Sequence, residues 1–293
     1  MKLLATADLH YNHPRSRPLA IELINEINDE QFDVLVLAGD TAVADGDELE
    51  QCLSSFTFAG PKLFICGNHE LWTRGPDSYD IFTKTLPKRV RELGWHYLEG
   101  APVIIAGTAF VGSIGWYDYS FAPDHLGIAA RFYQAKISPG AAIRFWEHAQ
   151  LVKPDGIMAS DVTPQQLEVV ARWNDGRHVK LHRSDSAFLQ ECLDGLRASL
   201  EQVRGADRVI AVTHHLPFRE LLPPKHTATW DFIWAYLGSP ALGELIMQYP
   251  NVSHVFCGHT HLAMERQIGH LNAINIGSGY RQKRFVTLEL PDS

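Results

Sequence analysis

Five apolar runs in this chain break off into side chains that bind metals, and no other feature constrains the fold as tightly. Leu3–Ala7 runs into Asp8-Leu9-His10, Val34–Ala38 into Gly39-Asp40, and Leu63–Cys66 into Gly67-Asn68-His69-Glu70. Further on, Val209–Thr213 leads to His214-His215, and Val255–Cys257 to Gly258-His259-Thr260-His261. Short runs of this kind read as buried strands, and the glycines at their ends let the backbone turn sharply. In α/β sheets ligands bind beyond the carboxyl ends of strands, so the five ends are expected to converge on one site.

The rest of the chain fits an α/β reading. Lys2–Ala7, Asp33–Ala38, Lys62–Cys66, Arg208–Val212, Val252–Cys257, Asn272–Ile276 and Phe285–Leu290 read as strands, and Pro102–Ala106 with Ala109–Ser113 as a strand pair. Leu19–Ile27 reads as an amphipathic helix, and Tyr79–Leu93 as helical around a break at Pro87. Residues 116–205 differ: they are helical in pattern and rich in aromatics, with Ser184–Val203 the clearest helix. Strands on both sides must pair to complete a core, so this block reads as an insertion, a helical cap within a single domain spanning 1–293.

Taken singly, each strand end has an ordinary explanation. An Asp-x-His or a Gly-Asp after a strand is usually a turn, and Gly-Asn-His-Glu can be a capped turn. Gly-His-Thr-His is harder to dismiss, because two histidines two apart beside glycine are rarely needed for packing. Five such ends together favour a metal site. In an extended segment, Asp8 and His10, or His259 and His261, project to the same side and can grip one ion or adjacent ions. His214 and His215 point to opposite sides by the same rule, so at most one is a direct ligand. Fifteen histidines in 293 residues supply the commonest metal-binding side chain.

Composition removes other classes. The net charge of −8 lacks the broad cationic face of a non-specific duplex binder. No apolar run approaches the ~20 residues of a membrane span. The N-terminus meets Asp8 too early for a signal peptide, and the four cysteines (Cys52, Cys66, Cys192, Cys257) form no CxxC pair. A cytoplasmic protein with reduced thiols is expected. A dinucleotide-binding dehydrogenase is excluded, since neither G-x-G-x-x-G nor a Walker loop follows the first strand.

In order and spacing the five segments resemble the calcineurin-like metallophosphoesterase superfamily, whose pattern is D-x-H, G-D, G-N-H-[D/E], H and G-H-x-H. Here it stands as Asp8/His10, Gly39-Asp40, Gly67-Asn68-His69-Glu70, His214 and Gly258-His259-Thr260-His261, with no element missing. The resemblance implies a layered α-β-β-α sandwich and two metal ions. Asp8, His10, Asp40 and His261 would hold the first; Asp40 as a bridge, Asn68, His214 and His259 would hold the second. Imidazole, carboxylate and amide donors suit Mn, Fe, Co, Ni or Zn, with Mn the expected ion. The implied reaction is phosphoester hydrolysis by a metal-bridging hydroxide attacking in line. His69 would act on the leaving oxygen as general acid or by stabilising charge, oriented by Asp40 or Glu70.

The motifs leave the insertion undefined. Trp116, Asn174 and Asp175 lie in aromatic-rich stretches that either line a substrate cap or pack the insertion itself, and Phe145-Trp146 reads as packing. Arg74 follows the Gly-Asn-His-Glu block closely enough to clamp a phosphate, although a surface salt bridge is the commoner role. His215 is expected behind the ligand loop. The leading expectation is a phosphodiesterase or phosphatase on nucleotides or other small organic phosphates. A nuclease would want a basic groove, and a non-catalytic scaffold on the same fold would have lost ligands, yet all are present. Oligomeric state has no sequence signature here.

Overall fold

Alternate residues of each long strand belong to two different cores, and this makes the architecture layered. Leu3, Ala5, Val34, Val36, Leu63 and Ile65 of the first sheet meet Phe110, Ile210, Val212 and Phe256 of the second in one buried cluster. Their neighbours Leu4, Leu35, Leu37 and Phe64 face outward, in a cluster with Ala20, Leu23, Ile24 and Ile27 of helix Arg17–Asp29. Burial on both faces is why these strands read as unbroken apolar runs and not as alternating ones. The sheets approach closely enough that a side chain on Gly112 would fall 2.7 Å from Leu98 Cβ.

The computed structural model describes residues 1–75 and 77–291. Among them the first sheet contains β1 (Lys2–Thr6), β2 (Val34–Ala38), β3 (Lys62–Ile65) and β4 (His96–Tyr97), all parallel, with β11 (Phe285–Glu289) antiparallel beside β1. The second runs β5 (Val103–Ile105), β6 (Thr108–Ser113), β7 (Arg208–Thr213), β8 (Val252–Cys257), β10 (Leu271–Asn275) and β9 (Met264–Ile268). Its middle strands β6, β7, β8 and β10 are parallel, and each edge strand is antiparallel to its neighbour. Helices cover the outer faces, giving the mixed α/β sandwich expected.

Between β6 and β7 the chain forms short helices and 3₁₀ turns before the long helix Asp185–Gln202, which packs on β6 as an outer layer of the second sheet. The expected break at Pro87 is absent. Ser78–Asp80, a π-helical turn Ile81–Thr85 and Leu86–Glu92 follow one another without interruption, with Pro87 in the first turn of the last piece. A proline ring clashes with the carbonyl four residues earlier, and the wider π turn removes that conflict. Among the described residues no helix is long and apolar enough to cross a membrane.

Candidate metal centre

The carboxyl ends of β1, β2, β3, β7 and β8 are laced together by the loops that follow them. Asp8 N–H donates to Gly39 O (2.9 Å), Gly258 N–H to His214 O (3.2 Å), and His259 N–H to both Asp8 oxygens (3.0 and 3.1 Å). Glycine is needed where these loops touch. Gly39 has φ +84°, and a Cβ there would lie 2.6 Å from His214 Nδ1. A Cβ on Gly67 would strike Asp40 N and Oδ1. Glu70 organises the same crossing by accepting the backbone N–H groups of Asp40 (3.0 Å), Thr41 (2.6 Å), Ala42 (3.2 Å) and Gly67 (2.7 Å). It does not face His69; of the two expected orienters, only Asp40 does.

Pairs two residues apart converge as expected, but by a different device. Asp8, His10, Asp40, His259 and His261 lie past the last ladder bonds, and all adopt positive φ, between 43° and 73°. Left-handed backbone at residues other than glycine is uncommon and strained, and it gathers at functional sites. His214 and His215 do not point to opposite sides as strand alternation predicts: they lie beyond β7, their rings meet edge to face at 5.3 Å, and both approach His259. His214 turns to Asp40 Oδ1 (3.3 Å), while His215 packs behind, 4.3 Å from the His259 ring and 5.0 Å from Trp116.

All seven candidate ligands and His69 come together, and their donor chemistry fits cations. His214 Nε2 lies 3.2 Å from Asn68 Oδ1, 3.2 Å from His259 Nδ1 and 3.3 Å from Asp40 Oδ1. His214 Nδ1 meets Ala38 O (2.9 Å) and His259 Nε2 meets Tyr236 O (3.2 Å). Those carbonyls claim one ring proton each, so neutral His259 aims the lone pair of Nδ1 inward, and His214 Nε2 does the same once its proton is lost. Asp40 Oδ1 also accepts the His69 backbone N–H (2.8 Å), but that leaves four buried donor atoms converging with at most one ring proton among them, an arrangement that a cation would satisfy. A second group forms beside it. His10 Nε2 is 3.0 Å from His261 Nε2, His261 Nε2 is 3.4 Å from Asp8 Oδ1, and His10 Nε2 is 3.9 Å from Asp40 Oδ2. Asp40 thus presents one oxygen to each group.

The electrostatics leave most of these groups without the proton that a metal would have to displace, His214 excepted. Burial holds His10 and His259 well below the usual histidine range, keeping them neutral. Burial works against ionised Asp40, but His214 and His69 outweigh it and keep the carboxylate well below its usual range. Burial likewise opposes a charged His214, yet the adjoining Asp40 pushes it up to about 9, so a metal here displaces a proton.

His69 sits at the rim of a pocket of about 250 Å³. Its Nε2 is 3.8 Å from Asp40 Oδ2 and 3.5 Å from the Tyr280 hydroxyl, and its ring stacks on Trp72 at 3.7 Å. One bank of the pocket is Asp40, Asn68, His259 and His261; the other is Trp173, Asn174, Trp230, Ile233 and Leu237, with Arg172. Of the four candidate substrate residues, Asn174 lines the pocket. Trp116 is fully buried, stacked on Tyr117 at 4.6 Å with its indole N–H on Asp185 (2.8 Å). Asp175 is buried against Asn68 and does not line the pocket. Arg74 is exposed, and its backbone N–H bonds Asp45. Trp72, Arg172, Trp230 and Tyr280 escaped the sequence reading, because a lone aromatic or arginine outside a motif carries no local signal.

A sequence profile of the calcineurin-like phosphoesterases matches residues 1–263. The chain is 24% identical over 277 residues to the [acyl-carrier-protein] phosphodiesterase PptH of Mycobacterium tuberculosis, covering 89% of this chain and 72% of that protein. The crystal structure of that organism's phosphopantetheinyl hydrolase (PptH) superposes with a TM-score of 0.67 at 22% identity, over 96% of this chain and 90% of the other. A dimetal phosphatase from Danio rerio superposes with a TM-score of 0.51 at 14% identity, over 98% and 91%. The chain belongs to the calcineurin-like phosphoesterase family, and it is a dinuclear metal-dependent hydrolase of phosphoesters.

Proposed function

We propose that Asp8, His10, Asp40 and His261 hold one divalent ion, that Asp40, Asn68, His214 and His259 hold a second, and that the substrate is a phosphodiester with one neutral, extended arm. The convergence of lone pairs on each oxygen of Asp40 is the observation that carries the metal assignment. Mixed carboxylate, imidazole and amide donors favour manganese, with Fe, Co, Ni and Zn as the other candidates. When bound, such a pair supplies Lewis-acid polarisation of the phosphoryl oxygens and a water acidic enough to attack near neutral pH. His69 works from the rim. Burial disfavours its charged form while the Asp40 carboxylate favours it, Asp40 Oδ2 and the Tyr280 hydroxyl flank its Nε2, and in its protonated form it would donate from there to the departing oxygen.

The substrate reading rests on the asymmetry of the pocket. Trp173, Trp230, Ile233 and Leu237 line it beside Asn174, and Arg172, the one cation there among the described residues, is already paired with Glu147 (2.6 Å), which suits an apolar or amide-bearing chain better than a second charge. A carrier protein bearing a phosphopantetheine arm has this chemistry, and the mycobacterial relative is named for that substrate. In the same reading the chain works as one domain. Arg172, Trp173 and Asn174, in the segment after residue 116, wall the pocket, and the protein resides in the cytoplasm, where its four buried thiols stay reduced. Metal-reconstituted protein should hydrolyse bis-p-nitrophenyl phosphate faster than p-nitrophenyl phosphate, and should remove the arm from a holo-acyl carrier protein, read by intact mass. Diester turnover with an untouched carrier protein would discard this substrate. A preference for the monoester would discard the diester reading.

A further inference from the structure

An asparagine ligand has an ambiguity that a carboxylate lacks. The two ends of its amide are nearly alike in shape and opposite in chemistry, and only Oδ1 can face a cation. Here the far end is held by a residue from a distant segment. Asn68 Nδ2 donates to Asp175 Oδ1 at 2.9 Å, while Asn68 Oδ1 lies 3.2 Å from His214 Nε2. Asp175 is itself fixed: Oδ1 also accepts from Trp72 Nε1 (2.7 Å), and Oδ2 accepts from Tyr117 OH (3.0 Å) and Trp173 Nε1 (2.7 Å). All four donors converge on a carboxylate that is 1% exposed, so its bonding capacity is taken up within the chain and not by a substrate. Turning the amide over would press Asn68 Oδ1 against an acceptor that has no proton to offer, in a buried place where an unmet polar atom is costly.

We infer that Asp175 is a positioning residue for the metal centre, locking the Asn68 amide so that its oxygen is always the end presented to the second ion. The carboxylate also polarises the amide through a charge-assisted bond, which makes Oδ1 the better donor. Through this contact the segment between β6 and β7 completes the centre as well as walling the pocket. Since Tyr117, Trp173 and Trp72 meet at the same carboxylate, the ligand loop after β3, the start of that segment and its stretch around Trp173 are tied at one point. The inference rests on the reading of Asn68 as a ligand.

Manganese titrated into metal-stripped protein, followed by the EPR signal of free Mn²⁺, reads the two binding steps separately. Wild type should take up two ions. Saturation at one would overturn the Asn68 assignment, and this inference with it. Asp175→Asn should keep first-ion affinity within about twofold and weaken the second ion by about 10–100-fold, the usual range for losing such a supporting contact. The exchanged pair Asn68→Asp with Asp175→Asn, in which donor and acceptor trade places, should recover most of the second-ion affinity. Two-ion binding unchanged in Asp175→Asn, or both affinities falling together without rescue by the exchanged pair, would overturn the inference while leaving the ligand assignment standing. If Asp175→Asn fails to fold, wild type carries the test. The side-chain amide protons of Asn68, found in ¹⁵N spectra of metal-free protein by their loss in Asn68→Asp, should exchange slowly and show one proton shifted downfield. Exchange at the rate of an exposed amide would overturn the inference.

Discussion

At the scale of single residues, the centre separates groups that hold charge from one that handles a proton. His69 is beside the proposed ligand Asn68 in sequence, yet its side chain faces the pocket, with its backbone N–H donating to Asp40 Oδ1 at 2.8 Å. His69→Ala should therefore retain both ions, measured by elemental analysis, and lose turnover by the ~10²–10⁴-fold typical of a missing general acid. The loss should be largest for alkoxide leaving groups, which must be protonated, and smaller for p-nitrophenolate. Equal losses on both would leave His69 an electrostatic role only, and loss of metal would make it a ligand. The residues of the centre were legible one by one because each interrupts an apolar run with a side chain that packing does not need. Tyr280 and Trp72 were not, because their relation to His69 exists only after distant loops meet.

At the scale of elements, what the sequence concealed follows from burial and length. The strands buried on both faces were visible as apolar runs, whereas β9 (Met264–Ile268, Met-Glu-Arg-Gln-Ile) is an exposed edge strand whose polar residues mask it, and β4 has only two residues. Helices Ala228–Trp234 and Pro240–Ile246 were missed because seven residues give too little periodicity to read. The segment after β6 shows how one composition serves two purposes. Trp116 and Asn174 were indistinguishable as sequence, but one is core and the other lines the pocket. Trp116→Ala should cost about 3–5 kcal/mol of stability, as for other buried large-to-small changes, and be visible as a lowered denaturation midpoint. Asn174→Ala should leave the midpoint and metal content unchanged and shift the ratio of diester to monoester kcat/KM. A reversed pattern, with Trp116→Ala stable and altered only in specificity, would contradict this placement.

At the scale of the whole molecule, the two sheets pack face to face, and the carboxyl ends of their central strands come together where the ions would fasten them. Asp8 and Asp40 come from the first sheet, while His214, His259 and His261 come from the second. Binding the ions should consequently stabilise the fold as any native-state ligand does, by about 2.7 kcal/mol for each ion at a free concentration one hundred times its dissociation constant. Calorimetry with manganese and then with a chelator should show the melting temperature rise and fall accordingly, and an unchanged melting curve would mean that the folded chain does not bind the ions. Asp40 offers an oxygen to each ligand group, so the dinuclear centre stands or falls on it. Elemental analysis and phosphodiester turnover, measured together on wild type and Asp40→Asn after reconstitution with manganese, give the most direct test. The account expects two ions per wild-type chain, activity that tracks the second ion, and loss of both metal and turnover in Asp40→Asn, because a neutral amide cannot bridge two dications. Full turnover from metal-free wild type, or Asp40→Asn holding two ions at normal turnover, would contradict it.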